Sequence, residues 1–386
     1  MLYYKYLKNG AKMNYLKSKV MKSMQNYITA LLIAALVFPI LAFILTIPFM
    51  ILQYHKYGAI TIKKTLIIFS FIFYLLCVLC LAILPLPSLD IVSSSKRPWY
   101  NLKLFEFISE MNASNVLDIK DPRTYISIFT TNKILEPLFN ILLTVPLGIY
   151  LRYYFKKGWF TTILYSFLLS LFLEVTQLSG LYYIYPRPYR LFDVNDLFNN
   201  TLGGLLGFIL TPLFSFFLPT RDQLDEESLR RSKDVSFTRR FIGYLIDMIL
   251  LFFILAICPI QFRFINTLII GLYFSLSTFI FNGFTFGKFI VHIKLTNPKK
   301  KRLGLISCLL RGFIFESLVL NNIIFLNEFN IPFYKIIIIQ GFIWFILFIM
   351  LVNLRKKQQT TIFIDKLLGL EIKDTINHEE RYILKL

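Results

Sequence analysis

Long apolar stretches alternate with short polar segments along most of the chain. A helix that spans a bilayer needs about 20 mostly apolar residues, and nine stretches come close to that length. They are residues 28–52, 66–86, 135–151, 159–178, 194–218, 241–257, 267–284, 309–326 and 334–352. The pattern predicts an all-α fold, a polytopic transmembrane helix bundle of about nine spans, in a multi-pass protein of the cell membrane.

The composition agrees with a membrane protein. Charged residues make up 17% of the chain, whereas soluble domains carry about 25%. Lys and Arg outnumber Asp and Glu by 42 to 22, but they lie between the apolar stretches, which favours membrane loops over a nucleic-acid surface. Cys77 and Cys80 form a CxxC spacing inside an apolar stretch, with no His or acid nearby, so we expect neither a metal site nor a disulfide framework.

The distribution of Lys and Arg predicts which loops face the cytoplasm. If the C-terminus is cytoplasmic, the inner loops carry 25 Lys and Arg and the outer loops carry 8. Residues 1–23 conflict with this orientation, because they hold six lysines and no acid and nine spans would place them outside. Either the first apolar stretch does not cross the membrane, or the natural chain begins at Met24.

Three neighbouring apolar stretches carry polar residues near their predicted outer ends, three or four positions apart, so that each set falls on one helix face. Ionisable residues inside a membrane are costly and often functional. We therefore expect them to meet in one outward-facing polar cavity. With two arginines from the intervening loop, the candidate ligand-binding residues are Glu136, Asn140, Glu174, Gln177, Arg187, Arg190, Asp193, Asp196 and Asn200.

Each of these residues also has a structural interpretation. Asp193 suits the N-cap of a helix, and the GxxxG motif that follows it suits close helix packing. Asn140 and Asn200 suit hydrogen bonds between helices. Glu174 needs a partner if it is buried, and Arg190 could form an ion pair with it.

Three motifs occur in order within about residues 66–218. They are Asn-Ile-Leu-Leu-Thr-Val-Pro-Leu-Gly at 140–148, Glu-Val-Thr-Gln at 174–177, and Arg-x-Phe-Asp-x-x-Asp-x-x-x-Asn-Thr-Leu-Gly-x-x-x-Gly at 190–207. This segment resembles the VanZ-like family of bacterial membrane proteins. The resemblance implies an association with the cell envelope. The type function of that family is low-level resistance to teicoplanin-type lipoglycopeptide antibiotics.

The second half of the chain carries its own charged cluster, which consists of Arg240, Asp247, Lys288, Arg311, Glu316 and Asp365. The arginines, the two aspartates and the Gly-Lys pair at 287–288 resemble the RDD family over about residues 237–372. The resemblance implies a membrane module, and ion transport has been proposed for some RDD proteins. As a structural alternative, the two arginines lie at helix ends and pair with Asp247 and Glu316.

These resemblances divide the chain into five parts. The predicted parts are an N-terminal extension and first membrane segment at 1–65, a VanZ-like domain at 66–218, a charged, solvated cytoplasmic linker at 219–236, an RDD-like domain at 237–372 and a tail at 373–386. About five spans belong to the first half. Four belong to the RDD-like or poorly matched second half.

The leading functional hypothesis is a non-enzymatic envelope protein that binds a lipid-linked precursor or a lipoglycopeptide and lowers susceptibility to teicoplanin-type antibiotics. One alternative is a membrane enzyme whose outer carboxylates act on lipid phosphates. Another is a cation or proton pathway through the second half. Nucleotide-binding and hydrolase motifs are absent from the sequence, and we expect no cofactor. Besides the bilayer, the expected partners are anionic lipid headgroups at the basic segment 297–302, and no nucleic acid.

Overall fold

The computed structural model of the protein describes residues 2–105, 132–257, 265–313, 332, 334–342, 345 and 363–377. Helices dominate these residues, which confirms the all-α membrane bundle. Six of the described helices are long and apolar enough to cross a membrane, and Ile265–Ile280 is a shorter apolar helix. The last two predicted spans, 309–326 and 334–352, lie largely outside the described residues.

Helices α1 to α6 occupy the first part of the chain: α1 is Leu2–Tyr57, α2 Ile62–Ile83, α3 Leu89–Ser93, α4 Asn132–Tyr153, α5 Trp159–Leu178 and α6 Val194–Ser215. The later helices are α7 Arg221–Ser232, α8 Phe237–Ile257, α9 Ile265–Ile280, α10 Phe286–Ile290, α11 Leu305–Leu310 and α12 Phe363–Leu367. Four short strands complete the described structure: β1 Tyr100–Asn101, β2 Phe192–Asp193, β3 Ile293–Thr296 and β4 Glu371–Asp374.

The chain forms two compact units. Unit 1 contains residues 1–42 and 65–223, and unit 2 contains residues 43–64 and 224–386. Because α1 runs through residue 42, it contributes residues to both units.

Glycines determine how α4, α5 and α6 pack in unit 1. Gly203 and Gly207 of α6 lie directly against backbone carbonyls of α4, and Gly204 lies against Ser166 of α5. A Cβ atom at any of these three positions would collide with its neighbour. The packing predicted for the GxxxG motif is thereby confirmed, because only a residue without a side chain lets the two backbones approach so closely.

A small parallel strand pair covers one end of this three-helix packing. Strand β1 pairs with β2, so that Tyr100 is opposite Phe192 and Asn101 is opposite Asp193. Nearby, the hydroxyl of Tyr185 donates to the carbonyl of Pro87 over 2.7 Å. These contacts hold the segment 84–105 against the turn that connects α5 to α6.

Unit 2 combines membrane-type helices with a short antiparallel sheet of two strands that are far apart in the chain. Strand β3 pairs with β4 from Ile293 opposite Asp374 to Thr296 opposite Glu371. The side chains of β3 that point inward join Ile242 of α8 in the core. Helix α10 approaches α8 closely, because a glycine lies on each side of the contact.

The predicted solvated linker, residues 219–236, instead contains the helix α7. Its charged sequence is amphipathic, since Leu224, Ser228 and Ser232 recur every fourth residue and all three are buried. Leu229 packs with Tyr57 and other apolar side chains of unit 2. The charge pattern suggested exposure all round, but one face of this segment is covered.

Candidate functional site

The carboxylates of Glu174, Asp193 and Asp196 come together in unit 1, where α5 ends and α6 begins. Glu174 is only 3% exposed, and one of its oxygens accepts a hydrogen bond from the backbone N–H of Asp193 at 3.0 Å. Asp193 and Asp196 are half-buried, and both lie within electrostatic range of Glu174. We call these three residues the acidic cluster.

Asp193 caps α6, as its sequence position predicted. Its Oδ1 accepts from the backbone N–H of Asn195 at 2.8 Å, which satisfies one of the unpaired donors of the first helical turn. Asn195 in turn accepts from the N–H of Phe105 at 2.7 Å and donates to the carbonyl of Lys103 at 3.0 Å. The cap therefore also fixes the segment 84–105 beside the acidic cluster.

Both predicted asparagines connect helices. Asn140 of α4 donates to Asp196 Oδ1 at 2.5 Å, and Asn200 of α6 donates to the hydroxyl of Ser170 on α5 at 2.8 Å. The hydroxyl of Thr144 donates to the carbonyl of Asn200 at 2.7 Å. Asn200 Oδ1 is buried and accepts no hydrogen bond from the part of the chain that the structure describes, so one acceptor beside the cluster stays unused.

The expected ion pair between Glu174 and Arg190 is not formed. Arg190 Nη2 donates to the carbonyl of Leu84 at 3.0 Å, and Arg187 Nη2 donates to the carbonyl of Arg97 at 2.5 Å. The carbonyls of the covering segment need donors, and the two arginines provide them. Within the described residues, no Lys or Arg lies within 4.0 Å of a carboxylate of the acidic cluster.

The remaining two candidates of unit 1 lie at the margin of the cluster or point elsewhere. Glu136 is exposed on α4 and interacts electrostatically with Asp196. Gln177 is buried and donates to the carbonyl of Ala82 on α2 at 2.9 Å, so it holds α2 rather than facing the acids. The described residues contain no group of three or more His, Cys, Asp or Glu suited to a metal ion.

This geometry lies in a segment that matches a protein family. Residues 71–215 match the family model described as VanZ/LLP1. The matched segment ends at the last residue of α6 and contains the whole acidic cluster, which confirms the VanZ-type resemblance for this part of the chain. No curated protein and no solved structure gives a match. The match ends well before residue 237, so the RDD resemblance stays a prediction.

One pattern in the VanZ-type segment was missed at the sequence level. Helix α5 carries Thr162, Ser166, Ser170 and Glu174 at intervals of four residues, and all four side chains are buried. The hydroxyls of Thr162 and Ser166 bond back to the carbonyl four residues earlier, at 2.9 and 2.8 Å. This spacing marks the α5 face that packs on α6, and it was visible in the sequence.

In unit 2, Asp247 is surrounded by neutral donors instead of the arginines that the sequence suggested. Its Oδ1 accepts from the hydroxyl of Tyr273 at 2.6 Å and from the N–H of Gly287 at 2.7 Å, and its Oδ2 accepts from the hydroxyl of Thr285 at 2.5 Å. Lys288 also acts electrostatically on this carboxylate. The close approach of α10 to α8 brings these donors to Asp247.

The second-half arginines meet Asp365 rather than Asp247. Arg311 Nε donates to Asp365 Oδ1 at 2.7 Å, and both side chains are almost fully buried. Arg240 interacts electrostatically with Asp365 and Arg311, but its Nη2 is bonded to the carbonyl of Val235 at 3.5 Å. The sixth member of the predicted cluster, Glu316, lies outside the described residues. The predicted cluster thus separates into two groups.

Sequence inspection selected Arg240 and passed over its neighbour Arg239, which is fully buried. Arg239 donates to the carbonyls of Val291 and His292 at 2.7 and 2.8 Å and forms an ion pair with Asp374 at 2.7 Å. It holds β3, β4 and α8 together. Nothing in the pattern of adjacent arginines distinguishes the two, because the choice depends on the position of strands far along the chain.

A second buried ion pair of unit 2 was also missed. Lys64 and Asp225 are 2.7 Å apart, with side-chain exposures of 3% and 5%. Asp225 accepts as well from the hydroxyl of Tyr57 at 3.2 Å, and the Lys64 ammonium lies 3.1 Å from the centre of the Tyr57 ring. These contacts connect α7 to the first turn of α2 and to the last residue of α1.

Proposed function

We propose that the acidic cluster binds the cationic or hydroxyl-bearing headgroup of an amphiphile, such as a lipid-linked envelope precursor or a lipoglycopeptide. A single observation carries this proposal. Three carboxylates lie close together, and no described cation is within 4.0 Å of them. The carboxylates have neutral hydrogen-bond donors but no paired cation, and buried charge without a counter-charge is costly. A ligand cation would supply the missing charge. The unused Asn200 Oδ1 offers a further acceptor.

The exposure of the surrounding residues supports access for such a ligand. Asp193, Asp196 and Arg190 are half-buried, whereas Glu174 is buried. A ligand could therefore reach the two aspartates from solvent, with Glu174 beneath them. The adjoining covering segment exposes 53% of Trp99 and 61% of Tyr100. Aromatic side chains of this kind favour the boundary between lipid and water, where they could contact the apolar part of an amphiphile.

The proposal requires the acidic cluster to face the cell exterior, as the Lys and Arg distribution predicts. The turn that follows α5 provides the test, because Tyr183 is 91% exposed. Tyr183→Cys in a background without the native cysteines should react with a membrane-impermeant maleimide on intact cells. Reaction only after permeabilisation would place this turn in the cytoplasm and overturn the proposal.

Binding is tested with full-length protein in phosphatidylcholine nanodiscs, with teicoplanin as the probe and vancomycin as the comparison. We expect teicoplanin to bind, and Asp196→Asn to weaken it about 10-fold or more, because a charge-assisted hydrogen bond is lost. Asp222→Asn is the matched control, since it neutralises an exposed aspartate of the same unit that pairs with Lys156.

The outcomes separate the competing functions. If neither antibiotic binds, and expression leaves the susceptibility of cells to both unchanged, the proposed ligand class is wrong. If the same preparation turns over a labelled lipid precursor, and Asp193→Asn abolishes turnover, the protein is an enzyme instead. For unit 2 we propose an anchoring role, in line with its resemblance to RDD membrane modules. A cation flux in proteoliposomes that Asp247→Asn removes would contradict that role.

A further inference from the structure

Four consecutive cations project from the surface of unit 2. Lys299, Lys300, Lys301 and Arg302, which we call the basic turn, are all exposed. Among the described residues, none of the four side chains forms an ion pair or a hydrogen bond. Two exposed cations elsewhere in the protein do form ion pairs. Lys156 pairs with Asp222 at 2.5 Å, and Arg231 pairs with Glu227 at 2.7 Å.

The backbone of the basic turn is fixed. Asn297 closes the turn, with its carbonyl accepting from the N–H of Lys300 at 3.2 Å and its Oδ1 accepting from the N–H of Lys299 at 2.9 Å. Asn282, just beyond the end of α9, donates to the carbonyl of Lys301 at 3.4 Å and accepts from the N–H of Leu303 at 3.3 Å. Since the buried Leu303 anchors the far side, the four charges cannot spread apart by moving the backbone.

Apolar side chains follow the charges directly. Leu305 is 44% exposed and Ile306 is 74% exposed at the start of α11. Concentrated positive charge beside exposed apolar residues suits the surface of a membrane, where the cations meet headgroups and the apolar side chains enter the acyl region. Nucleic acids and acidic proteins would satisfy the charges but would leave Leu305 and Ile306 in water.

We propose that the basic turn is a binding surface for anionic phospholipid headgroups. Its ligand chemistry is the phosphodiester of a lipid held in a bilayer, rather than a free phosphate ion. Binding is independent of the acidic cluster and of its ligand. It would favour a fixed depth for the adjoining end of α9 in an anionic leaflet.

The test uses full-length protein and counts bound phosphatidylglycerol and phosphatidylcholine by native mass spectrometry from mixed micelles. We expect the wild type to prefer phosphatidylglycerol. Replacing all four cations by Gln should lower that preference about 10-fold or more, and replacing the three lysines by Arg should preserve it. A double variant that carries Lys299→Gln and Lys300→Gln has a matched control, which carries Lys156→Gln and Lys157→Gln. Each of the two double variants removes two adjacent exposed lysines. The control should leave the preference unchanged.

Three results would overturn the proposal. The first is an unchanged lipid preference in the four-Gln variant, provided that it elutes as folded protein in size-exclusion chromatography. The second is displacement of the lipid by soluble glycerol phosphate at equal concentration, which would indicate a free-phosphate site. The third is binding of single-stranded DNA with the same affinity as phosphatidylglycerol, which would assign the surface to a polyanion.

Discussion

The two units differ in the groups that surround their buried ionisable side chains. In unit 2, Arg239 lies 2.7 Å from Asp374, Lys64 lies 2.7 Å from Asp225, and a further arginine pairs with a buried aspartate. In unit 1, the three carboxylates of the acidic cluster have one another and neutral donors as close neighbours, and Arg190 attracts Glu174 and Asp196 without forming an ion pair. Asp374, Asp225 and Asp365 of unit 2 thus take part in ion pairs, whereas the carboxylates of the acidic cluster, like Asp247 of unit 2, accept hydrogen bonds from neutral donors.

Under the proposed function, the difference separates ion pairs that stabilise the fold from carboxylates that are available to a ligand. A buried charge that is paired and hydrogen-bonded holds the elements that supply its partners. The carboxylates of the acidic cluster also hold elements together, since Asp193 caps α6 and Asp196 accepts from Asn140 of α4, but none of them has a Lys or Arg within 4.0 Å among the described residues. Under the proposed function, the ligand supplies that cation.

The largest expected effect is at Arg239. Arg239→Met removes the partner of Asp374 and leaves several buried carbonyls without a donor, so the free energy of unfolding should fall by about 3–5 kcal/mol. SDS titration of the full-length protein in mixed micelles measures this change. Adding Asp374→Asn to this variant should restore little of the lost free energy of unfolding, since the carbonyls of Val291 and His292 still lack a donor. Recovery to the wild-type value would show that charge alone matters there.

A smaller loss is expected at the other buried pair. Lys64→Met leaves the Asp225 carboxylate buried without its cation and should cost about 3 kcal/mol. Adding Asp225→Asn removes that charge and still provides an oxygen for the hydroxyl of Tyr57. At least half of the lost free energy of unfolding should therefore be restored. The same SDS titration measures both variants, with Lys156→Met as the control for an exposed pair, which should change stability by less than about 1 kcal/mol. A double variant no more stable than Lys64→Met would contradict this account.

The acidic cluster should respond in the opposite way. Glu174→Gln replaces a buried carboxyl group that forms no ion pair with a described Lys or Arg, and it keeps an oxygen for the N–H of Asp193. The free energy of unfolding should therefore stay the same or rise by up to about 1 kcal/mol, while binding of the probe weakens. A loss comparable to that of Arg239→Met would erase the contrast between the units and identify Glu174 as a structural residue.

The smallest effect concerns pH. Burial raises the pKa of Tyr189 above its ordinary value of 10.0, so the folded state favours the protonated phenol. Its contribution to stability is present below pH 10 and is lost as the pH rises through the raised pKa. Tyr189→Phe should therefore reduce the alkaline loss of stability above pH 10, measured by thermal unfolding in a pH series. Because the Tyr189 hydroxyl has no partner among the described residues, the variant should change stability at pH 7 by less than about 1 kcal/mol. An alkaline loss identical to that of the wild type would contradict the assignment.

Much of the acidic cluster followed from local spacing. Asp193, Asp196, Asn200 and the glycines after them repeat every three or four residues, so one helix face could be identified and its cap predicted. The contacts of Asn140 and Asn200 between helices were also within reach, because a buried amide needs a partner. The structural alternative of an ion pair between Glu174 and Arg190 was wrong. Nothing in the sequence shows that the carbonyls of the segment 84–105 come close enough to engage both arginines.

The sequence by itself determined that this is an all-α protein of long apolar helices, and that the polar residues of its VanZ-type segment share helix faces. Hydrophobic length and periodicity are local properties of the chain, so they can be evaluated without a fold. The tertiary structure alone decided which charges are paired. Arg239 meets Asp374 across 135 residues, and Lys64 meets Asp225 across 161. An ion pair depends on a distance of a few ångströms between side chains, and only packing brings such distant positions together.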